Sequence, residues 1–136
     1  MTKSIVVDTN LIFSALLSSS SSIREILFDK SIHFYAPNFI ISEVFKHQRK
    51  MLKYTKLADE EFFDYFILIV ENIDFVSIDH VSSESRQKAY ELCFDVDLKD
   101  IPFVSLSIEL NAPLWTGDNK LKKGLVRNGF EDFFEL

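Results

Sequence analysis

The sequence lacks the cysteines of small disulfide-bonded proteins and the long apolar runs of membrane-spanning proteins. Its single cysteine, Cys93, excludes an intramolecular disulfide and a zinc site built from several cysteines. No apolar run approaches the ~20 residues that a helix needs to cross a bilayer. The first apolar segment follows the N-terminus closely, without the layout of a signal peptide. We therefore expect a protein of the reducing cytoplasm with no membrane partner.

Apolar residues are plentiful. Hydrophobic residues make up 47% of the 136 residues and include 14 phenylalanines, which is enough for a sizeable core and excludes a disordered chain. The length fits one domain, and the sequence contains no linker, internal repeat or second domain. The sequence therefore predicts a single domain over residues 1–136.

The charge is unevenly distributed along the chain. The net charge of −6 argues against a general nucleic-acid coat protein, because phosphate binding is driven by lysine and arginine. Residues 1–57, however, hold eight basic against four acidic residues, whereas residues 58–136 hold seven against seventeen. This distribution leaves room for a local basic surface on an acidic body.

Short apolar runs alternate with amphipathic segments. Strands are predicted at 5–7, 32–36, 75–78 and 114–116, with a short edge strand at 130–136. Helices are predicted at 9–17, 23–29, 38–54, 57–70, 82–92 and 100–110, and the serine run 18–22 is predicted as a loop. This alternation predicts a three-layer α/β/α fold with a central, mainly parallel sheet of four or five strands.

Carboxylates stand at the ends of several apolar runs. Asp8 follows the first predicted strand, Asp118 follows the fourth, and Glu43 and Asp100 lie on predicted helices. Sites in parallel sheets lie beyond the carboxyl ends of the strands, so Asp8 and Asp118 converge if strands one and four are neighbours. Carboxylates so gathered raise one another's pKa values, and a bound Mg²⁺ or Mn²⁺ removes that penalty. Such an ion also activates a bound water.

Each acid also has an ordinary structural explanation. Asp8 and Asp100 would serve as helix caps, Asp118 as a turn residue and Glu43 as a solvated helix residue. Asp97 shares a helical face with Asp100 if the helix begins early; otherwise it lies in the preceding loop and caps the helix.

Three neighbouring polar residues are candidates for the second shell of a metal site, with the capping of strand ends as the alternative. They are Thr9, Asn10 and Thr116.

The ordered set of these segments resembles the PIN-domain ribonucleases. The segments are V-V-D-T-N near the start, S-E-V in mid-chain, D-x-x-D-x-P-F-V-x-L and finally W-T-G-D-N-K-L. The resembling group includes the toxins of VapBC-type toxin–antitoxin pairs, and the resemblance covers essentially the whole chain. It implies a central parallel sheet, one or two Mg²⁺ or Mn²⁺ ions and endonucleolytic cleavage of single-stranded RNA.

By this resemblance, the metal-site and catalytic roles belong to Asp8, Glu43, Asp100 and Asp118, with Asp97 as a candidate fifth ligand. The chain departs from the pattern in two places. Asn119 stands where some relatives carry a further acid, and Asp95 and Asp97 precede Asp100. The third ligand therefore stays open between Asp97 and Asp100.

Basic residues follow two of these acids. Lys46, His47 and Lys50 share a helical face with Glu43, and this stripe would guide an RNA backbone toward a metal ion. An ordinary solvated face is the alternative interpretation. A second cluster follows Asp118 and consists of Lys120, Lys122, Lys123 and Arg127. The predicted RNA-binding residues are Lys46, Lys50 and Lys120.

Two other functions compete with the ribonuclease. An aspartyl-phosphate phosphohydrolase would need an acid at position 10, where this chain has Asn10. A catalytically silent module that binds RNA or protein would keep the fold without the chemistry. Aromatic residues at 62–66 and 133–134 leave room for a protein partner, either an antitoxin or a second copy of the chain.

Overall fold

Four parallel strands form the central sheet of the computed structural model, which describes residues 3–19 and 21–135. Their order across the sheet is β3-β2-β1-β4. The strands are β1 (Lys3–Val7), β2 (Ile32–Pro37), β3 (Ile73–Val76) and β4 (Leu114–Trp115). The predicted parallel α/β architecture is confirmed, with four strands in the described part of the chain.

Seven helices in the described residues cover this sheet. They are α1 (Thr9–Leu17), α2 (Ser22–Leu27), α3 (Phe39–Tyr54), α4 (Asp59–Glu71), α5 (Ser83–Cys93), α6 (Ile101–Leu110) and α7 (Asn119–Arg127). Helices α2, α3 and α4 pack against α1. Helix α5 packs against α6 and α7, and α6 covers β1, β2 and β4. The helices thus form two groups with the sheet between them, as a three-layer fold requires.

β1 is the centre of the sheet. Ile5, Val6 and Val7 are fully buried, as expected of a β-branched strand covered on both faces. β1 pairs with β2 on one side and with β4 on the other, where Val7 stands opposite Trp115. The chain order reverses at this point, since β2 and β3 lie on one side and β4 lies on the other. Such a switch point opens a crevice beyond the carboxyl ends of β1 and β4.

The third strand lies two residues earlier than the sequence predicts. β3 ends at Val76, which stands opposite Pro37 at the end of β2, so no partner strand continues beside it. Ile78 instead begins a 3₁₀ turn, Ile78–His80, and the Ser77 side chain accepts a hydrogen bond from the Asp79 amide. The loss of the neighbouring strand explains why the apolar pattern at 75–78 does not continue as a strand.

Helix α7 is absent from the sequence prediction. Its N-terminus is capped by Asp118, and Leu121 and Leu125 face the core. An acid followed by apolar residues four apart is a helix signal, but the lysines between them gave the segment the appearance of a charged cluster.

The predicted C-terminal edge strand is wrong within the described residues. Only an isolated bridge between Leu114 and Phe133 forms there. Leu136 of that prediction, like Ser20 of the predicted serine loop, lies outside the described residues.

Gly124 lets α7 approach the loop that precedes α6. A Cβ atom at this position would lie 2.6 and 2.7 Å from the two Cγ atoms of Val96. Contacts this short do not occur between carbon atoms, and the β-branched valine has few alternative rotamers. The absence of a side chain at Gly124 therefore sets the distance between α7 and the segment that leads to Asp97 and Asp100.

Replacing Gly124 with alanine should destabilise the protein by ~1 kcal/mol, because overpacking against Val96 exceeds the gain in helix propensity. Urea denaturation would measure the change. Gly117→Ala is the matched control, since a Cβ there meets only Leu11 at an ordinary 3.5 Å.

The cost of Gly124→Ala should shrink in a Val96→Ala background, where the space for a Cβ exists. An equal cost in both backgrounds would contradict the packing argument.

Candidate active site

Asp8 and Asp118 meet at the crevice between β1 and β4. The Asp8 amide donates to the Trp115 carbonyl (3.0 Å), which continues the strand pairing by one residue. The buried Thr116 hydroxyl donates to Oδ2 of Asp8 (2.7 Å) and accepts from the Asp118 amide (3.1 Å). Thr116 therefore links the two acids that the sequence predicted to converge, and it fixes the orientation of the Asp8 carboxylate.

The four aspartates near this crevice, Asp8, Asp97, Asp100 and Asp118, differ in whether their side chains cap a helix or turn. The Asp118 side chain caps α7 by accepting from the amides of Lys120 and Leu121, and the Asp97 side chain caps the 3₁₀ turn Leu98–Asp100. Asp8 and Asp100 also stand at N-cap positions, of α1 and α6. The Asp100 side chain makes no capping hydrogen bond, and the Asp8 side chain makes none of good geometry, although the amides of Asn10 and Thr9 lie close enough to lower its pKa. The capping explanation therefore accounts for Asp97 and does not account for Asp100.

Asp100 is under strong electrostatic strain. Burial raises its pKa to about 7, and the negative charges of Asp8, Asp97 and Asp118 contribute in that order. The Asp8 side chain, which is 6% exposed, also has a raised pKa, chiefly through burial, although the hydrogen bond from Thr116 acts in the opposite direction. These mutual effects show that Asp8, Asp100 and Asp118 share one electrostatic environment.

An open groove of about 350 Å³ lies beside these acids. It is bounded by the segment before α6 on one side and by α7 on the other, and its charged lining residues are Asp95, Asp97, Asp100, Asp118, Lys120, Lys123 and Arg127. Acidic side chains therefore face basic ones across the groove.

Asp95, one of the alternatives in the sequence, lines this groove and is held by two contacts. Arg127 forms an ion pair with it at 3.6 Å, and the Asn128 side-chain amide donates to it at 2.7 Å. These contacts give Asp95 a structural role.

Glu43 reaches the same edge of the sheet on α3. This helix starts directly after β2, and the Phe39 ring in its first turn packs on Phe103 of α6 with centroids 5.8 Å apart. Glu43 is exposed and stands one turn beyond Phe39, and side chains four apart share a helical face. Glu43 thus shares a helical face with the residue that contacts α6, but its charge is not among those that raise the pKa values of Asp8 and Asp100.

The remaining predicted residues are arranged around this edge. Thr9 is buried in the first turn of α1, whereas Asn10 is exposed. Lys46 and Lys50 are exposed on α3, and Lys120 lines the groove on α7.

A family model described as PIN domain matches residues 6–132. The chain belongs to the PIN-domain family. No curated protein matches the chain closely enough to name a nearer relative. PIN domains are generally nucleases that bind RNA and use divalent metal ions. In the described part of this PIN domain, no helix is long and apolar enough to span a bilayer.

The donor set of this PIN domain fits a hard divalent cation. The candidate ligands Asp8, Asp100, Asp118 and Glu43 offer only carboxylate oxygens, which Mg²⁺ and Mn²⁺ prefer. Burial and, after it, the charges of Asp8, Asp97 and Asp118 raise the pKa of Asp100, and a bound cation would favour its ionised form. No three acidic, histidine or cysteine side chains of the described residues stand close enough to form a complete coordination shell as they are placed. Side-chain rotations would therefore accompany ion binding.

Lys123 and Arg127 belong to the basic cluster that the sequence shows after Asp118, but they are not among the predicted RNA-binding residues. They share one face of α7 with Lys120 at i, i+3 and i+7, and all three line the groove. The N-cap signal at Asp118 would have revealed this face, because it fixes the start of the helix.

The stability of this PIN domain without metal should fall as the pH rises from about 4 to about 7. The folded state holds the Asp100 proton more tightly than the unfolded state, since its pKa is raised to about 7. That stabilisation is complete below the unfolded pKa and is lost as the carboxyl ionises. Melting in EDTA across this range should show the fall for the wild type and a smaller one for Asp100→Asn.

Asp64→Asn, at an exposed position on α4, serves as the control and should follow the wild-type curve. If the melting temperatures of Asp100→Asn and the wild type fell equally with pH, Asp100 would not be the group whose raised pKa causes the fall.

Proposed function

We propose that this PIN domain is a divalent-metal-dependent endoribonuclease that hydrolyses phosphodiester bonds of single-stranded RNA. The observation that carries the proposal is the gathering of Asp8, Asp100 and Asp118 at the switch point of the sheet. Asp100 occupies an N-cap position without serving as a cap, although helix capping is the ordinary structural use of such an aspartate.

The groove suggests water as the nucleophile. Among the described residues that line it, none carries a hydroxyl, thiol or imidazole group. Mg²⁺ or Mn²⁺ held by the carboxylates would lower the pKa of a bound water and stabilise charge on a phosphoryl oxygen.

The chain's own residues would hold the ligands and the substrate in place. Thr116 orients the Asp8 carboxylate, and the capping bonds of Asp118 hold its Oδ1. Oδ2 of Asp118 accepts no hydrogen bond from the described residues and is open to an ion. Lys120 and Lys123, on the opposite wall of the groove, would attract the phosphates of the RNA.

Pure protein with Mg²⁺ or Mn²⁺ should cleave single-stranded RNA, and EDTA should stop the cleavage. Asp8→Asn and Asp118→Asn should each lower the rate by at least ~100-fold, since even partners of a metal ligand cost about 10–100-fold. Asparagine is as good a cap as aspartate, so Asp118→Asn should keep its melting temperature while losing activity. Cleavage by both variants at the wild-type rate would refute the assignment.

The same assay decides between Asp97 and Asp100. We propose Asp100 as the third ligand, because its partly buried carboxylate makes no capping hydrogen bond and shares the electrostatic environment of Asp8 and Asp118. Asp97→Asn should keep both the cap and most of the activity, whereas Asp100→Asn should lose activity. The reverse ranking would identify Asp97 as the ligand.

A catalytically silent RNA- or protein-binding module is the second candidate. It is favoured by one observation: no three acidic, histidine or cysteine side chains of the described residues form a complete coordination shell as they are placed. Mn²⁺ should raise the melting temperature of a nuclease, because an ion that binds only the folded state stabilises it. No rise would favour the silent module.

We further propose that the protein is the toxin of a toxin–antitoxin pair. Exposed apolar side chains on α3 and α4, namely Phe45, Phe63 and Ile67, offer a surface for an antitoxin or for a second copy. The proposal requires a small neighbouring gene for an inhibitor and growth arrest when the protein is expressed alone. The absence of both would leave the nuclease without the toxin role. The cytoplasmic location stays a prediction.

A further inference from the structure

A second pocket, of about 270 Å³, lies between α1 and α3, apart from the acidic groove. Six residues line it: Phe13, Leu17, His47, Lys50, Met51 and Tyr54. Its walls are mainly apolar and include the rings of Phe13 and Tyr54. His47 meets the Phe13 ring edge-on, with centroids 5.9 Å apart. The volume lies just under the ~300 Å³ lower limit of ordinary ligand pockets, which suits one flat ring system.

The pocket lies alongside the path that leads away from the acidic site. α1 starts directly after Asp8, and α3 starts just beyond the end of the neighbouring strand β2. The far ends of the two helices are joined, because the Thr55 hydroxyl donates to the Leu16 carbonyl (2.6 Å) and the Lys56 amide donates to the Leu17 carbonyl (2.9 Å). The helices therefore run side by side, and the pocket opens in the seam between them.

The distance along the helices from the acidic residues to the pocket corresponds to about one or two nucleotides of a single strand. Phe13 lies five residues beyond Asp8 in sequence, and Lys50 lies seven residues beyond Glu43. At 1.5 Å per residue these separations are ~7 Å and ~10 Å along the helix axes. A strand with one phosphate at the carboxylates would therefore present a base to the pocket about one or two nucleotides away.

The positive charge around the pocket favours the binding of a polyanion. In a protein with a net charge of −6, α3 carries four lysines and arginines against the single acid Glu43. Lys50 stands at the rim of the pocket and Lys46 is exposed one turn earlier. An apolar, ring-lined cavity with a basic rim combines the two features that bind single-stranded nucleic acid, which are stacking surfaces and phosphate-neutralising cations.

We propose that this pocket binds one base of a single-stranded RNA substrate, about one or two nucleotides from the bond that is cut. The base packs against Phe13 and Tyr54, and Lys50 contacts the adjoining phosphate. The pocket would thus fix the register of the strand and give the enzyme its base preference. The inference rests on the proposed ribonuclease function, but binding can be measured without cleavage.

Photo-crosslinking tests the pocket directly. Asp8→Asn protein would be mixed with a single-stranded RNA of about 12 nucleotides that carries one 4-thiouridine, moved along the strand from one oligonucleotide to the next. Mass spectrometry should locate crosslinks in the peptides that contain Phe13 or residues 47–54. RNA that binds but crosslinks only elsewhere would overturn the proposal, whether or not the wild type cleaves.

Substitutions give a second measurement. Tyr54 is 61% exposed, so Tyr54→Ala should leave the fold intact and weaken RNA binding roughly 10-fold through lost stacking. Tyr90→Ala, at a 50% exposed tyrosine on α5, is the matched control and should bind like the parent. Lys50→Gln should weaken binding more than Lys56→Gln, which makes the same charge change outside the pocket.

The cleavage assay separates the two proposals. If the wild type cuts RNA but Tyr54→Ala alters neither binding nor the position of the cuts, the pocket proposal fails and the nuclease stands. If the wild type does not cut but crosslinks form in the pocket, the pocket stands and the nuclease fails. If Tyr54→Ala instead abolishes a dimer seen by analytical ultracentrifugation without affecting RNA binding, the pocket belongs to a protein interface and the proposal is overturned.

Discussion

The pairing of β1 with β4 is the constraint on which the site depends. It places strands from the two ends of the chain side by side, so that Asp8 and Asp118, 110 positions apart, lie at one edge. Thr116 can then contact both acids, because it follows β4 directly and its hydroxyl both donates and accepts. The crevice at this switch point exists only because the chain reverses its direction across the sheet at β1.

This arrangement holds several carboxylates close together and partly buried, where their charges repel one another. Burial and mutual repulsion raise the pKa values of Asp8 and Asp100, which is a cost in folding stability. The closeness of α7, permitted by Gly124, increases that cost because it brings Asp118 toward the segment with Asp97 and Asp100. Sites that bind cations commonly show this conflict between stability and function, and the cation resolves it.

Two basic surfaces flank the acids, and they differ in character. The α7 surface, with Lys120, Lys123 and Arg127, lies across an open polar groove and suits contact with phosphates. The α3 surface adjoins an apolar pocket with aromatic rings and suits contact with a base. Positive charge is therefore concentrated on two local surfaces of a protein whose net charge is negative.

The sequence by itself determined the fold class, the family, and all six predicted helices to within two residues at each end. Apolar periodicity is local information, and the acids at strand ends are visible as soon as the strands are. It did not determine α7, because this helix has few apolar positions among its lysines. It also did not determine the end of β3, which depends on where its partner strand β2 ends. Only the tertiary structure decided which aspartate side chains cap a helix or turn, as Asp97 does, and which do not, as at Asp100. The reason is that a hydrogen bond from a backbone amide depends on local geometry. The pocket between α1 and α3 was likewise beyond the sequence, because its walls come from two helices brought together by contacts at their far ends.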